Sequence, residues 1–435
     1  MEWLVLGLFC GGLIACLLLD VSILYALAAG LLLFLLYGRR RGFSWGELLK
    51  MALEGVKAVK NILITFLLIG VLTAMWRSAG TISVIVCYAA KLIRPSVFLL
   101  MTFLLNAGVS VLTGTSFGTA ATMGVICATM GSVMGVNAVL TGGAVLSGVF
   151  FGDRCSPVST SALLVATLTE TSIFDNIRRM VRTALAPFLA SCAVYALIGL
   201  LTPHGEGTID LAALFSREFS LSLWAAVPAA VILILSLLRV NVKLAMSASI
   251  LSAVPVCLWL QGRGLPELLQ TALTGFVAAD ADVAPMLNGG GVTSMLRVAA
   301  IVCLSSSYSV LFRKTGLLDR VKRAIDLLSR RTSPFFAMLC TSALAGMVAC
   351  NQSLTILLTH QLCRELREDP SDTAVDLEDT AVVVAPLVPW SIAGAVPLSA
   401  VGAPSAAALL ACYLYLLPIW RLLKRPYCQG RTKVV

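Results

Sequence analysis

Charge is scarce in this chain. Asp, Glu, Lys and Arg make up 12% of its 435 residues, against 59% hydrophobic, and the mean hydropathy is +0.94. A soluble fold has no way to bury that much apolar surface, whereas helices of about 20 residues crossing a ~30 Å hydrocarbon layer do. Histidine is rarer still: His204 and His360 are the only two, too few for a histidine metal centre. The 13 cysteines are scattered, odd in number and without a C-x-x-C pair, which reads as core-filling thiols rather than disulfides or metal ligands. No Walker loop or dinucleotide fingerprint appears. Neither ATP drive, nor a cofactor, nor an enzymatic activity is therefore expected.

What is present is a polytopic all-α membrane protein. The first apolar segment, Leu4 to Asp20, follows Glu2 rather than a basic region, and a second, Val21 to Tyr37, comes at once; both read as retained spans, not a cleaved signal. Spans are expected near 3–19, 21–37, 61–76, 137–170 (broken), 182–201, 220–238, 243–261, 292–312, 377–400 (broken) and 403–420. The segments 95–135 and 333–366 are expected to be re-entrant hairpins that return to the side they entered. The net charge of +10 could suggest nucleic acid, but its placement points to a bilayer. Lys and Arg cluster at 39–41, 50–60, 178–182, 239–243, 313–331, 364–367 and 421–433, and with the N-terminus inside every cluster falls on the cytoplasmic face, as the positive-inside rule demands. The C-terminus is then cytoplasmic too, in a cell (plasma) membrane.

The chain also repeats itself. Trp45 to Val56 (WGELLKMALEGV) is answered by Leu265 to Phe276 (LPELLQTALTGF), and Arg77-x-x-Gly80 by Arg313-x-x-Gly316. Pro95 opens a stretch ending in Gly114-Thr115-Ser116, and Pro334 one ending in Asn351-Gln352-Ser353. The topology puts an odd number of crossings between the two amphipathic helices, so the repeats are inverted. Such a chain is the signature of a secondary transporter whose site lies between the halves near the bilayer midplane. The organisation expected is an N-terminal helix pair over 1–44, a first repeat over 45–201, linking helices over 202–264, a second repeat over 265–420 and a basic tail over 421–435. Within the second repeat, Leu317 to Arg330 is expected to lie along the cytoplasmic interface. Its counterpart Thr81 to Arg94 would lie outside, or else form a short span.

The polar breaks carry the chemistry, because backbone that leaves a helix within lipid is tolerated only where it lines a cavity or meets an ion. The first break is Phe150 to Ser161 (FFGDRCSPVSTS). Asp153 is expected to be the only carboxylate deep inside an apolar span, a residue type that is functional by default in a membrane; proton and cation could compete for it. An Asp153–Arg154 pair that merely pins the loop is the alternative. Ser156, Ser159 and Thr160 supply hydroxyls beside it. The second break, Ala385 to Gly394 (APLVPWSIAG), offers Trp390 and Ser391. Upstream, Glu378 and Asp379 read either as a proton gate or as acids in the first turn of a helix. At the hairpin tips, Thr115, Ser116, Asn351, Gln352 and Ser353 provide oxygens of the kind that replace a Na+ hydration shell, although small polar residues also suit any tight turn. His360 could relay protons or simply pack.

The runs Gly114 to Thr119 (GTSFGT), Gly148 to Pro157 (GVFFGDRCSP), Ile173 to Arg178 (IFDNIR), Asn351 to Ser353 (NQS), Leu377 to Asp379 (LED) and Pro386 to Trp390 (PLVPW) resemble, in combination and order, the NhaC-type sodium/proton antiporters. The resemblance spans about 45–420. It implies an elevator-type transporter with a scaffold domain that often dimerises, Na+ bound at Asp153 and the hairpin tips, and Na+/H+ exchange. Where that family commonly continues Ser-Asp-Thr-Thr-Asn, this chain has Ser159-Thr160-Ser161-Ala162-Leu163; where it has Pro-Trp-Asn-Thr, this chain has Pro389-Trp390-Ser391-Ile392. A carboxylate and two amides are thus absent. Exchange of a small organic anion with Arg154 as counter-charge, or a membrane sensor that has lost transport, also fits these residues.

Overall fold

The computed structural model describes residues 2–19, 21–92, 94–202, 211–238, 240–315, 328 and 332–424. The first half contains α1 (Glu2–Leu18), α2 (Ile23–Arg40), α3 (Trp45–Ala58), α4 (Lys60–Ser78), α5 (Thr81–Leu92), α6 (Phe98–Thr113), α7 (Ser116–Thr119), α8 (Val125–Val133), α9 (Ala138–Cys155), α10 (Thr160–Leu168) and α11 (Ile173–Leu201). After the linking helices α12 (Val227–Leu237) and α13 (Val242–Pro255) come α14 (Leu265–Thr274), α15 (Gly291–Thr315), α16 (Pro334–Ala349), α17 (Gln352–Cys363), α18 (Pro370–Glu378), α19 (Ala381–Val384), α20 (Ile392–Ala400) and α21 (Cys412–Lys424). Among the described residues the only β pairing is an isolated bridge between Phe276 and Gly289.

Length and apolar composition qualify seven of these helical stretches to cross a membrane, or eight if Pro370–Leu387 and Ile392–Ala400, bent by 56°, form one span. The remaining expected spans are present as shorter pieces: α1 has 17 residues, 137–170 is split into α9 and α10, 220–238 contains the apolar helix Leu223–Leu235, and 403–420 is a short turn of helix over Ser405–Leu410 followed by the 13-residue α21. The two hairpins are less alike than the repeat implies. Pro95–Thr113 and Ser116–Val133 are each of spanning length, whereas α16 and α17 have 16 and 12 residues. At 12 residues, or ~18 Å, α5 is too short for a bilayer. The expected interfacial helix at 317–330 lies outside the described residues apart from Leu328.

Caps and close backbone contacts fix how the helices start and pack. α3 begins with a capping box: Ser44 Oγ accepts from the Glu47 N–H, and the Glu47 carboxylate accepts from the Ser44 N–H at 2.8 Å. α3 then lies against α15 of the other half, while its counterpart α14 lies against α4 as well as α15. A Cβ on Gly55 would stand 2.2 Å from the Ser306 carbonyl oxygen, so α3 and α15 touch backbone to backbone. Between α6 and α9 the approach is just as close. A Cβ on Gly148 or Gly152 would fall 2.6 Å from the Phe103 carbonyl oxygen or 2.3 Å from Ser110 Cβ, the small-xxx-small packing that membrane helices use in place of a hydrophobic driving force. Two large apolar cores and two small ones result among the described residues. The larger runs through α4, α6, α8 and α9, and the second joins α1 and α2 to the hairpin and broken span of the second half.

Candidate functional site

The first break is narrower than the sequence suggests: α9 continues to Cys155, and only Ser156 to Val158 and the cap Ser159 leave the helix. Asp153 sits in the last turn of α9, 3% exposed. Ser159 Oγ donates to Asp153 Oδ1 at 3.0 Å while capping α10 from the Ser161 and Ala162 N–H groups, and Ser161 Oγ donates to Asp153 Oδ2 at 3.0 Å. A third donor comes from the second half of the chain, where Gln352 Nε2 reaches Asp153 Oδ2 at 3.2 Å. One carboxylate thus joins the first break to the second hairpin tip.

The two hairpin tips have the same backbone. α6 ends on Gly114 at φ 65°, ψ 25°, and α16 ends on Cys350 at φ 55°, ψ 12°; Thr115 and Asn351 follow, both extended at φ −146°, and cap the next helix with their side chains. The first tip is fastened to the first break, because a Cβ on Gly114 would meet Val158 at 2.6 Å and Ser156 Oγ donates to the Val111 carbonyl at 2.7 Å. The second tip is fastened to the second break by the Ile392 N–H bond to the Cys350 carbonyl and by Trp390 Nε1 donating to the Met347 carbonyl, both at 2.9 Å. Gly114 to Gly118 has the spelling G-x-S-x-G, but it joins two helices here and has no preceding strand to form a nucleophile elbow.

Of the expected ligands, Ser159 and Gln352 contact Asp153. Ser156, Trp390 and Ser391 instead hold backbone: Ser391 caps α20. Thr115, Ser116 and Asn351 sit at the tips, and Thr115 and Asn351 serve as helix caps, while Ser353 is exposed. Thr160 is corrected by the structure. It occupies the first position of α10 with its side chain exposed, on a different face from Ser159 and Ser161, which are buried against Asp153. Ser161, which the sequence reading did not single out, is the further hydroxyl on Asp153; residues two apart do not share a helix face, so no periodicity marked it.

A second correction concerns charge. Asp153 is not the only deeply buried carboxylate: Asp376, Glu378 and Asp379 are each at most 1% exposed. Nor does Arg154 pair with Asp153. Its guanidinium, wholly buried, is bonded to Asp379, to Thr183 Oγ1 at 2.8 Å, to the Met180 carbonyl at 3.2 Å and to the Tyr413 hydroxyl at 3.5 Å. Asp379 also meets Arg421 Nε at 2.8 Å, Arg421 meets Asp376 at 2.5 Å, and Asp376 meets Arg367 at 2.8 Å. The result is an alternating chain of three arginines and two aspartates. Glu378 and Asp379 lie at the C-terminal end of α18, which starts at Pro370 behind the cap Asp369, so they are not acids in a first turn. Glu378 interacts electrostatically with Arg154, Asp153 and Asp379, yet its Oε2 has no hydrogen-bond partner.

Beside the second tip lies a cavity of about 340 Å³, bounded by Gly55 and Val59 of one repeat, Leu164 of α10, Ser306 of α15, and Asn351 and Ser353. Gln352, between those last two residues in sequence, is the donor to the Asp153 carboxylate. The cavity lining carries no charged side chain.

Comparison with known proteins settles the family. A sequence model of the Na+/H+ antiporter family matches residues 3–169 and 148–420. The chain belongs to the Na+/H+ antiporter family. Similar curated proteins include the Na(+)/H(+) antiporter NhaC of Bacillus subtilis, 28% identical over 379 residues that cover 83% of each chain. The Malate-2H(+)/Na(+)-lactate antiporter of the same organism is 25% identical over 389 residues, 86% of this chain and 82% of its own. The Arginine/ornithine antiporter ArcD of Halobacterium salinarum is 28% identical over 384 residues, 83% of this chain and 78% of its own. The names of these similar proteins thus cover inorganic cations, organic anions and amino acids.

Proposed function

We propose that the protein is a secondary active transporter that exchanges Na+ for H+ across the cell membrane, with Asp153 as the carboxylate both cargoes use. The observation that carries this reading is the Asp153 cluster. The hydroxyls of Ser159 and Ser161, which now donate to it, can rotate to present lone pairs, and turning the Gln352 amide would present Oε1 in place of Nε2. A carboxylate with three such neutral oxygens is a hard-oxygen environment suited to an alkali cation. Family membership supports the same activity.

Organic-anion exchange is disfavoured by Arg154, the counter-charge it would need, since that guanidinium is bonded to Asp379, Thr183, Met180 and Tyr413. A sensor without transport has no use for a carboxylate wired to the tip of a hairpin from the other repeat. The inverted arrangement is supported by the matching tips and by α3 and α14 each packing on the other half's long helix. On this reading the scaffold comprises the long helices and the two amphipathic helices, and the hairpins and broken spans move against it as an elevator within a homodimer, both chain ends in the cytoplasm.

The test is a pH-sensitive dye in proteoliposomes challenged in turn with Na+, Li+, K+ and malate. Na+ should move protons in the parent protein and fail to do so in Asp153→Asn, which keeps the shape and removes the exchangeable charge. Preserved antiport in that variant, or proton movement with malate alone, overturns the reading.

A further inference from the structure

Three lysines meet where the amphipathic helix α3 turns into the span α4. Lys57 lies in the last turn of α3, Lys60 opens α4 directly after the junction residue Val59, and Lys243 lies in the first turn of α13. Lys243 Nζ donates to Asn61 Oδ1 at 3.1 Å. Asn61 follows Lys60 in the chain, so the start of α13 is tied to the start of α4 beside two further ammonium groups, both exposed. None of the three has an ion pair among the described residues. Glu54, the nearest acid in sequence, is taken by Lys314 at 3.0 Å, and neither α4 nor α13 has an acid in its first turn. Three uncompensated ammonium groups at two helix starts attract an anion.

The surface that continues from the lysines is apolar and open. Ile64 and Leu67 follow Lys60 at helical spacing on α4 and are exposed, as are Leu244 and Leu251 on α13. An inorganic anion would use the lysines alone, whereas a phospholipid uses both surfaces, its phosphate on the lysines and an acyl chain along the helices. The place also matters for the first hairpin. α4 and α13 are joined further along by Trp76 Nε1 donating to Ser249 Oγ at 2.9 Å. The hairpin tip rests on both: Phe117 packs on Phe66 of α4 with ring centroids 6.4 Å apart, and a Cβ on Gly118 would stand 3.1 Å from Val242 Cγ1.

We propose that Lys57, Lys60 and Lys243 bind the phosphate of one anionic phospholipid, which braces the wall of α4 and α13 under the first hairpin tip. The site does not depend on which cargo is exchanged.

Purified protein melted in neutral detergent across a series of phosphatidylglycerol mole fractions, at constant ionic strength, tests it. Phosphatidylcholine with the same acyl chains and inorganic phosphate are run in parallel. The parent should be stabilised by phosphatidylglycerol and by neither of the others. Each lysine removed should raise the half-saturating mole fraction about fivefold, equivalent to ~1 kcal/mol. The triple variant Lys57→Gln/Lys60→Gln/Lys243→Gln should therefore lose the response, while Arg40→Gln/Arg178→Gln/Lys424→Gln, which removes three exposed charges elsewhere, should keep it. A response retained in the lysine variant, or lost equally in both, overturns the proposal. So does an equal shift with phosphatidylcholine, which needs no charge, or with inorganic phosphate, which needs no acyl chain, or a parent that ignores phosphatidylglycerol. Should the lysine triple variant fail to accumulate, an unshifted response in Lys243→Gln alone overturns the assignment.

Discussion

Arg154→Met is the sharpest test of the charge arrangement. The methionine matches much of the arginine stem in volume but leaves Asp379 with Arg421 at Nε and the Thr183 hydroxyl, removes the donors to Thr183 and the Met180 carbonyl, and strips the buried ion-pair chain of one positive charge. Breaking a buried ion pair from one side typically costs 3–5 kcal/mol, because the partner charge stays buried. We therefore expect Arg154→Met to lower the stability of the detergent-solubilised protein by about 3–5 kcal/mol in a denaturant titration. The comparison is Arg179→Ala: Arg179 faces Asp369 and Asp372 across 3.6 and 3.4 Å with about half of each side chain exposed, and such pairs are worth ~0–1 kcal/mol. A counter-charge for an organic anion would behave differently, tolerating the change in the absence of substrate and losing only a malate response. An Arg154→Met protein as stable as the parent would refute the structural role of the arginine chain.

Gly152→Ala should cost about 1–3 kcal/mol and slow transport, since its Cβ has Ser110 Cβ at 2.3 Å and the Val111 N at 2.4 Å; Gly108→Ala, with open space around it, should be neutral or stabilising, and paired melts decide. The bonds from the Ser44 backbone and hydroxyl hold the Glu47 carboxyl below its ordinary value, so this contribution is present above the unfolded carboxylate pKa and is lost as pH falls through the lower folded one; amide exchange in the first turn of α3 should quicken there, and Ser44→Ala, which keeps the backbone donor, should reduce the effect without removing it. With single cysteines in a cysteine-less background, an impermeant reagent applied from outside should label position 217 and spare position 314; labelling of 314 refutes the topology.

Much of the architecture is legible in the residues themselves. Apolar length gives the spans, and the Gly114-Thr115 tip announces itself as a left-handed glycine followed by a side-chain cap, whereas at the second tip only the polar run from Asn351 is legible and nothing marks Cys350 as left-handed. The buried acids escape that kind of reading. Asp376, Glu378 and Asp379 look like solvated charge in sequence, because the residues that allow their burial are remote: Arg154 lies 225 positions from Asp379 and Arg421 lies 45 from Asp376. Orientation is the other gap. Ser159, Thr160 and Ser161 are consecutive hydroxyls, and only the direction in which α10 leaves the break decides that the outer two meet Asp153 while Thr160 turns away.

The contact of α3 with α15 has a consequence for how the protein is made. The face of α3 around Gly55 is covered by the backbone at Ser306, a stretch synthesised some 250 residues later. At about 5–20 residues per second, the first repeat waits in the bilayer for roughly 10–50 s with that groove lined by lipid or by other helices. The first repeat expressed alone would keep an open groove shaped for a partner, and two halves supplied as separate polypeptides would be expected to find each other through it.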